Sequence, residues 1–386
     1  MHIAQLRSCF PALSRMHNGL PVAYFDAPGG TQVPSVVAEA MSDYLFHHNA
    51  NTHWAYPTSE ETDAIIAGAR DAAAAFLNSR ADEISFGANM TTITFHLARA
   101  LGRTWKAGDE VIVTDLDHHG NVAPWRALEV DRGIGIRSAR MIRETCQVDM
   151  KHLAQLAGPK TRLIAIGGAS NAVGTINDLA LARQIARDAG ALLFVDAVHL
   201  APHEAIDVQA IGCDFLALSA YKFYGPHIGI LFARKKLLQS LPFPKLEPAP
   251  DTAPERAETG TQNQEGIAGV TATVEFMKSI GRQPDFSQRL WNGLQSIKRL
   301  HLYGVPPSEP RTPTFAFTID GMTSEEVVRA LAKRAIFVSH GDFYAATIVR
   351  NLGVEGLVRV GCAAYTTEEE IDRLLQAVEE ISADQV

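Results

Sequence analysis

Cysteine is scarce and scattered. The 386 residues include four, Cys9, Cys146, Cys213 and Cys362, and none forms a C-x-x-C pair. That spacing offers neither a zinc site nor a disulfide framework, and it suits a reducing compartment. Positive charge is not in excess: 35 Lys and Arg face 43 Asp and Glu, a formal charge of −8. Such a chain has no basic field for nucleic acid or an anionic membrane. No apolar run approaches a membrane span, and the first residues, with Gln5, Arg7 and Ser8, lack the apolar core of a signal peptide. The 14 histidines are mostly dispersed, without a metal-binding tract. The expectation is a cytoplasmic protein with no resident metal and no nucleic-acid or membrane partner.

What is present is alternation. Short apolar runs at 84–86, 110–114, 163–167, 192–196, 215–219 and 229–233 read as strands. Helical periodicity over 59–78, 91–101 and 179–189 separates them, the first with Ser59 as N-cap. This pattern predicts an α/β fold, a mostly parallel sheet covered on both faces. Prolines 242, 244, 248, 250 and 254 mark a loop, followed by a long helical stretch from Gly266. Strands at 314–319, 336–338 and 357–360 and helices at 324–334, capped by Ser324, and 367–381 then suggest a smaller α+β domain. The chain divides as an N-terminal segment 1–25 packing on the small domain, a large domain 26–275 and a small domain 276–386.

The densest chemistry lies at two strand ends. Phe194-Val195-Asp196 ends a buried strand in one carboxylate, and Leu216 to Ser219 leads through Tyr221 to Lys222 at a Gly225-Pro226 turn. A desolvated lysine has a depressed pKa and is nucleophilic, as Schiff-base formation requires. Alternatively, its stem snorkels to solvent. A strand-end Asp faces the crevice where open α/β sheets bind ligands, or it caps the next turn. Together a lone amine and a lone carboxylate suit pyridoxal phosphate: the lysine bonds the aldehyde and the Asp keeps the pyridine nitrogen protonated.

Other turns follow strands in the same way. Gly87 to Thr92 opens a helix at Asn89, Met90 and Thr91, whose N–H groups can bind phosphate or be capped locally. Ser219 and Tyr221 can add hydroxyls to the same anion. Asp117-His118-His119 offers an imidazole to stack on a flat cofactor, a solvated loop, or two metal ligands without a third at suitable spacing. Asn171 can meet a ligand oxygen or serve a turn. Thr261 precedes a helix and offers a second anion terminus. Arg359, inside an apolar strand, needs a partner: a substrate carboxylate or an internal acid.

In this order the motifs resemble the class V aminotransferases of pyridoxal-phosphate fold type I, in the group of cysteine desulfurases and selenocysteine lyases. The resemblance spans nearly the whole chain. It implies a large domain with a seven-stranded, mostly parallel sheet, and a homodimer with cofactor sites near its interface. It implies that Lys222 carries the cofactor and shuttles the substrate α-proton, that His118 stacks on the ring, and that Asp196 pairs with its nitrogen. Asn171 then lies near the ring hydroxyl, and Asn89, Met90, Thr91 and Ser219 near the phosphate. Thr261 reaches the phosphate of the neighbouring subunit, and Arg359 holds the carboxylate of a small amino-acid substrate.

Departures from the family pattern bear on the reaction. His199 stands where Gln is frequent, and Tyr221 where a His precedes the lysine. Tyr344 falls where desulfurases hold their sulfur-accepting Cys, and Cys362 reads as core. The loop with Asn51 and His53 resembles a substrate-mouth loop. The expected activity is a desulfurase-like lyase breaking a bond at Cβ. The alternatives are an aminotransferase, an epimerase, or a cofactor-binding protein that has lost catalysis.

Overall fold

The computed structural model describes residues 2–281 and 285–383. Among these, seven strands form a central sheet: β1 (Ile84–Gly87), β2 (Glu110–Thr114), β3 (Gly135–Ala139), β4 (Thr161–Gly167), β5 (Leu192–Asp196), β6 (Phe215–Ser219) and β7 (Gly229–Ala233). Their order across the sheet is β1-β7-β6-β5-β4-β2-β3, and of these described strands β7 alone runs against the others. The mostly parallel α/β architecture expected from the sequence is therefore present. Side chains alternate between faces along a strand. Leu193 and Val195 accordingly join one core cluster and Phe194 the other. Burial on both faces is why these strands read as unbroken apolar runs. The edge strand β3 has no such run; its Arg137 is exposed.

A second sheet among the described residues is antiparallel, in the order β8 (Leu300–Tyr303), β9 (Thr314–Ile319), β11 (Leu357–Gly361), β10 (Ser339–Gly341). Its core joins Phe315, Phe317, Val358 and Val360 to Ile371, Leu374 and Val378 of the helix Glu368–Ala383. The N-terminal segment touches both parts of the chain. Ala23–Tyr24 pairs with Ile336–Phe337, and the Phe10 ring meets Tyr224, Phe276 and Tyr365 at 5.7, 5.4 and 5.0 Å.

Two helix starts differ from the sequence reading. The helix Pro57–Leu77 begins with proline, which has no N–H to be capped. Ser59 is buried in its first turn, where its hydroxyl accepts from the Trp54 N–H and donates to the Asn51 carbonyl. The helix Ser324–Lys333 is capped by Thr323, not Ser324, in a reciprocal box with Glu326. Among the described residues no helix is long and apolar enough to cross a membrane.

Candidate active site

The parallel strands deliver their last residues to one edge, where such sheets bind ligands. Gly167 ends β4, Asp196 ends β5 and Ser219 ends β6. Because β7 runs the other way, its first residue, Gly229, lies between Ser219 and Gly87. The turn before β7 therefore reaches the same edge. A cavity of about 310 Å³ opens there, lined among others by Asp117, His118, Asn171, Asp196, Lys222 and His227.

Lys222 sits in a single turn after β6, and its Nζ donates to the carbonyls of Pro28 (2.6 Å) and Gly29 (2.9 Å). Burial lowers its pKa to about 7, with the Arg359 charge acting in the same direction and Asp196 and Asp26 opposing. Near neutrality a large fraction of Lys222 is thus the neutral, nucleophilic amine. Burial raises Asp196 to about 6, against the Val198 N–H at 3.0 Å and the Lys222 charge. Asp117 rises further, to about 8, through burial and the neighbouring Asp196 charge, although Gly167 donates to it at 2.6 Å. Burial thus raises both carboxyls, Asp117 further than Asp196.

His118 lines the cavity as a neutral ring. Burial, then the Lys222 charge, takes its pKa down to about 4. Its Nδ1 accepts from the Gly120 N–H at 2.9 Å, which puts the ring proton on Nε2. Asn171 donates through Nδ2 to the Phe343 carbonyl at 2.9 Å, while its buried Oδ1 has no partner among the described residues. An acceptor left so is unusual in a folded interior and fits a ligand hydroxyl. His199 also lines the cavity, and its Nε2 lies 3.1 and 3.0 Å from the hydroxyls of Thr312 and Thr314. It joins the end of β5 to the start of β9, and burial keeps it neutral.

At the other end, Met90–Gly102 forms helix α1. The Met90 N–H donates to Ser219 Oγ (3.0 Å) and the Thr92 N–H to Asn89 Oδ1 (2.9 Å). Ser219 thereby keeps its own O–H free to donate. Ala88, Asn89, Met90 and Thr91 all line the cavity, placing the positive end of the helix dipole at its wall. Gly229 has to be glycine here: a Cβ would lie 2.6 Å from the Asn89 carbonyl carbon. Tyr221 stacks on His227, ring centroids 4.8 Å apart and planes at 19°.

Arg359 is buried but does not line this cavity. Nη1 donates to the Asn171 carbonyl (2.9 Å), Nη2 lies 3.4 Å from Ser339 Oγ, and the guanidinium packs over the Phe343 ring at 4.1 Å. Its Nε has no partner among the described residues. Burial lowers its pKa to about 9. Tyr344 is 75% exposed, with its ring centroid 5.7 Å from that of His118. Phe343 and Tyr344 both hold positive φ, 54° and 57°. Strain of this kind persists where surroundings enforce it; here Asn171 and the His119 N–H grip the two carbonyls.

The structure does not bring every expected residue to the cavity. Asn51 and His53 lie on the surface of this chain; His53 pairs with Asp63 at 3.3 Å with its side chain 72% exposed. Thr261 is also exposed, in the loop before the helix Gln264–Ile280. Sequence reasoning missed His227 and the lysine acceptors Pro28 and Gly29. The only signal for His227 was its place in the turn after Gly225-Pro226. Among the described residues no cysteine lines the cavity. Cys362 borders a pocket of about 10 Å³ that also touches Lys222, and burial pushes its thiol up to about 12. Also among the described residues, no three or more His, Cys, Asp or Glu side chains are grouped to hold a metal ion.

The family model described as aminotransferase class-V matches residues 23–374. A cysteine desulfurase of Serratia proteamaculans (strain 568) is 31% identical over 401 residues, 98% of each chain. One from Escherichia coli O7:K1 (strain IAI39 / ExPEC) is 33% identical over 402 residues, again 98% of each. The solved apo structure of a cysteine desulfurase from Thermococcus onnurineus NA1 superposes with a TM-score of 0.92 at 26% identity, covering 100% of this chain and 99% of that one.

Proposed function

The chain belongs to the class V aminotransferase family, and from that premise we propose that it is a pyridoxal-phosphate-dependent β-lyase that releases its leaving group to solvent. It is an enzyme of the cysteine desulfurase-like kind, and its cofactor is pyridoxal 5′-phosphate. The cavity fits that group: a depressed-pKa lysine, an ionised carboxylate, a neutral imidazole, an unpaired buried Asn oxygen and a helix N-terminus surround one space. Lys222 would hold the carbonyl carbon, Asp196 the ring nitrogen, Asn171 the ring hydroxyl and His118 the ring face. Met90, Thr91, Ser219 and Tyr221 would border the phosphate, and His199 would buttress Asp196 from β9. When bound, the cofactor supplies an electron sink for bonds broken at Cα.

The protein's own groups then account for the proton traffic. Arg359 would orient the substrate carboxylate, and Tyr344, whose ring lies near that of His118, would border its side chain. The neutral Lys222 amine takes the Cα proton. The bond from Cβ to its substituent breaks with the electron pair leaving on that substituent, and water completes the reaction. For cysteine the balance is cysteine plus water giving pyruvate, ammonia and hydrogen sulfide. Transfer of the sulfur onto a protein thiol would give alanine instead.

The observation that carries this choice is the position of the thiols: Cys146, Cys213 and Cys362 are buried, Cys9 follows the N-terminal helix and does not line the cavity, and Tyr344 lies on the loop beside His118. Product analysis tests it. With cysteine or another β-substituted amino acid, pyruvate and the expelled group should form in equal amounts, and the intact mass of the protein should gain no sulfur. Alanine with sulfur on a cysteine would overturn the proposal; a transaminated or inverted product would point to the aminotransferase or epimerase.

The working unit in this reading is a homodimer in the cytoplasm. Four unpaired thiols suit a reducing compartment. Phe46, Trp54 and Leu246 are 79%, 61% and 64% exposed, apolar surface that a second copy would cover. Thr261 would then approach the partner's cofactor phosphate. Light scattering should give twice 41.9 kDa, and Phe46→Glu should shift the protein toward monomer; a wild-type monomer would contradict this.

A further inference from the structure

We propose that His227 binds the cofactor phosphate, held in place for that task by its stack on Tyr221; the inference rests on the cofactor reading above. The topology brings the residue there. Gly87, Ser219 and Gly229 lie side by side in neighbouring strands. His227 is two residues before Gly229, Tyr221 two after Ser219, and Asn89 two after Gly87. All three line one cavity wall. The absence of a side chain at Gly229 lets the start of β7 press against Asn89, so the turn carrying His227 lies against the N-terminus of α1.

That wall collects groups that favour an anion. It has the helix N-terminus, the free hydroxyl hydrogen of Ser219, and the imidazole of His227. Stacking on Tyr221 at 4.8 Å fixes the plane of the imidazole and limits the entropy lost when its ring N–H donates. Tyr221 is itself seated: its ring lies 5.0 Å from Lys222 Nζ, and a Cβ at Gly30 would approach it to 3.5 Å. The pair thereby links the phosphate end of the site to the lysine. The other use for such a stack is simple packing at the rim, and the two roles differ in what they require. Packing needs only a flat ring, whereas phosphate binding needs an N–H.

The test compares two probes on two variants. Pyridoxal phosphate and pyridoxal, which lacks the phosphate, are titrated into cofactor-free wild type, His227→Phe and His227→Ala, and followed by visible absorbance. His227→Phe keeps a flat ring and removes the donor. Both variants should bind pyridoxal phosphate about tenfold or more weakly, the worth of one charge-assisted hydrogen bond, with pyridoxal binding unchanged. Unaltered phosphate-form affinity in His227→Phe would overturn the proposal, as would an equal loss for both probes. Failure of the wild type to bind either probe would instead overturn the cofactor reading itself.

Discussion

Replacing Lys222 with alanine is expected to lower turnover by roughly a thousandfold or more, since the group proposed both to hold the cofactor and to move the Cα proton is lost. The fold should survive, because among the described residues the Lys222 amine donates to just two loop carbonyls, those of Pro28 and Gly29. A small primary amine added to the variant should restore part of the proton transfer. In the wild type the same amine gives a pH signature. Its pKa of about 7 means that covalent capture of the cofactor should rise from pH 6 to 8 and then level. An ordinary lysine would keep gaining to about pH 10. The sign follows from the chemistry: the neutral amine attacks, and raising the pH through 7 creates it. Stopped-flow absorbance over that range measures this, and a rate still climbing at pH 9 would show that Lys222 is not desolvated.

Asp196→Ala gives the second large effect. In the proposed mechanism ionised Asp196 keeps the pyridine nitrogen protonated, and removing one partner of a buried charge pair costs about 3–5 kcal/mol. That corresponds to about two to four orders of magnitude in rate. The loss should fall on kcat, because in this proposal Arg359, not Asp196, holds the substrate. Asp196→Asn should be nearly as slow, since its shape is kept while its charge is lost. Asp117 is coupled to this change. The Asp196 charge is one of the causes that raise Asp117, so in either variant Asp117 should titrate at lower pH. A variant with wild-type kcat and raised KM would assign Asp196 to substrate binding instead.

The sequence carried the apolar strands because burial on both faces leaves unbroken runs, as in Leu192–Asp196 and Phe215–Ser219. It missed the edge strand Gly135–Ala139, whose mixed composition follows from one-sided burial. Helix caps were misread where a second hydroxyl or a proline adjoined the true start, at Tyr56-Pro57 and at Thr323. Lys222, Asp196 and His118 were legible because each ends or follows a strand that points at one edge. His227 was not, because its place at the cavity depends on β7 running backwards, and an apolar run does not encode its direction. Pro28 and Gly29 were invisible for another reason: almost two hundred positions separate them from Lys222. Asn51 and His53 show the converse, a suggestive composition that this chain places on its outer surface.

The most direct measurement fixes the cofactor chemically on the protein. Borohydride reduction of the enzyme reconstituted with pyridoxal phosphate, followed by peptide mass mapping, locates the carbon that the amine has captured. The account predicts one modified residue per chain, Lys222. A label on any other lysine, or none after reconstitution, would contradict it.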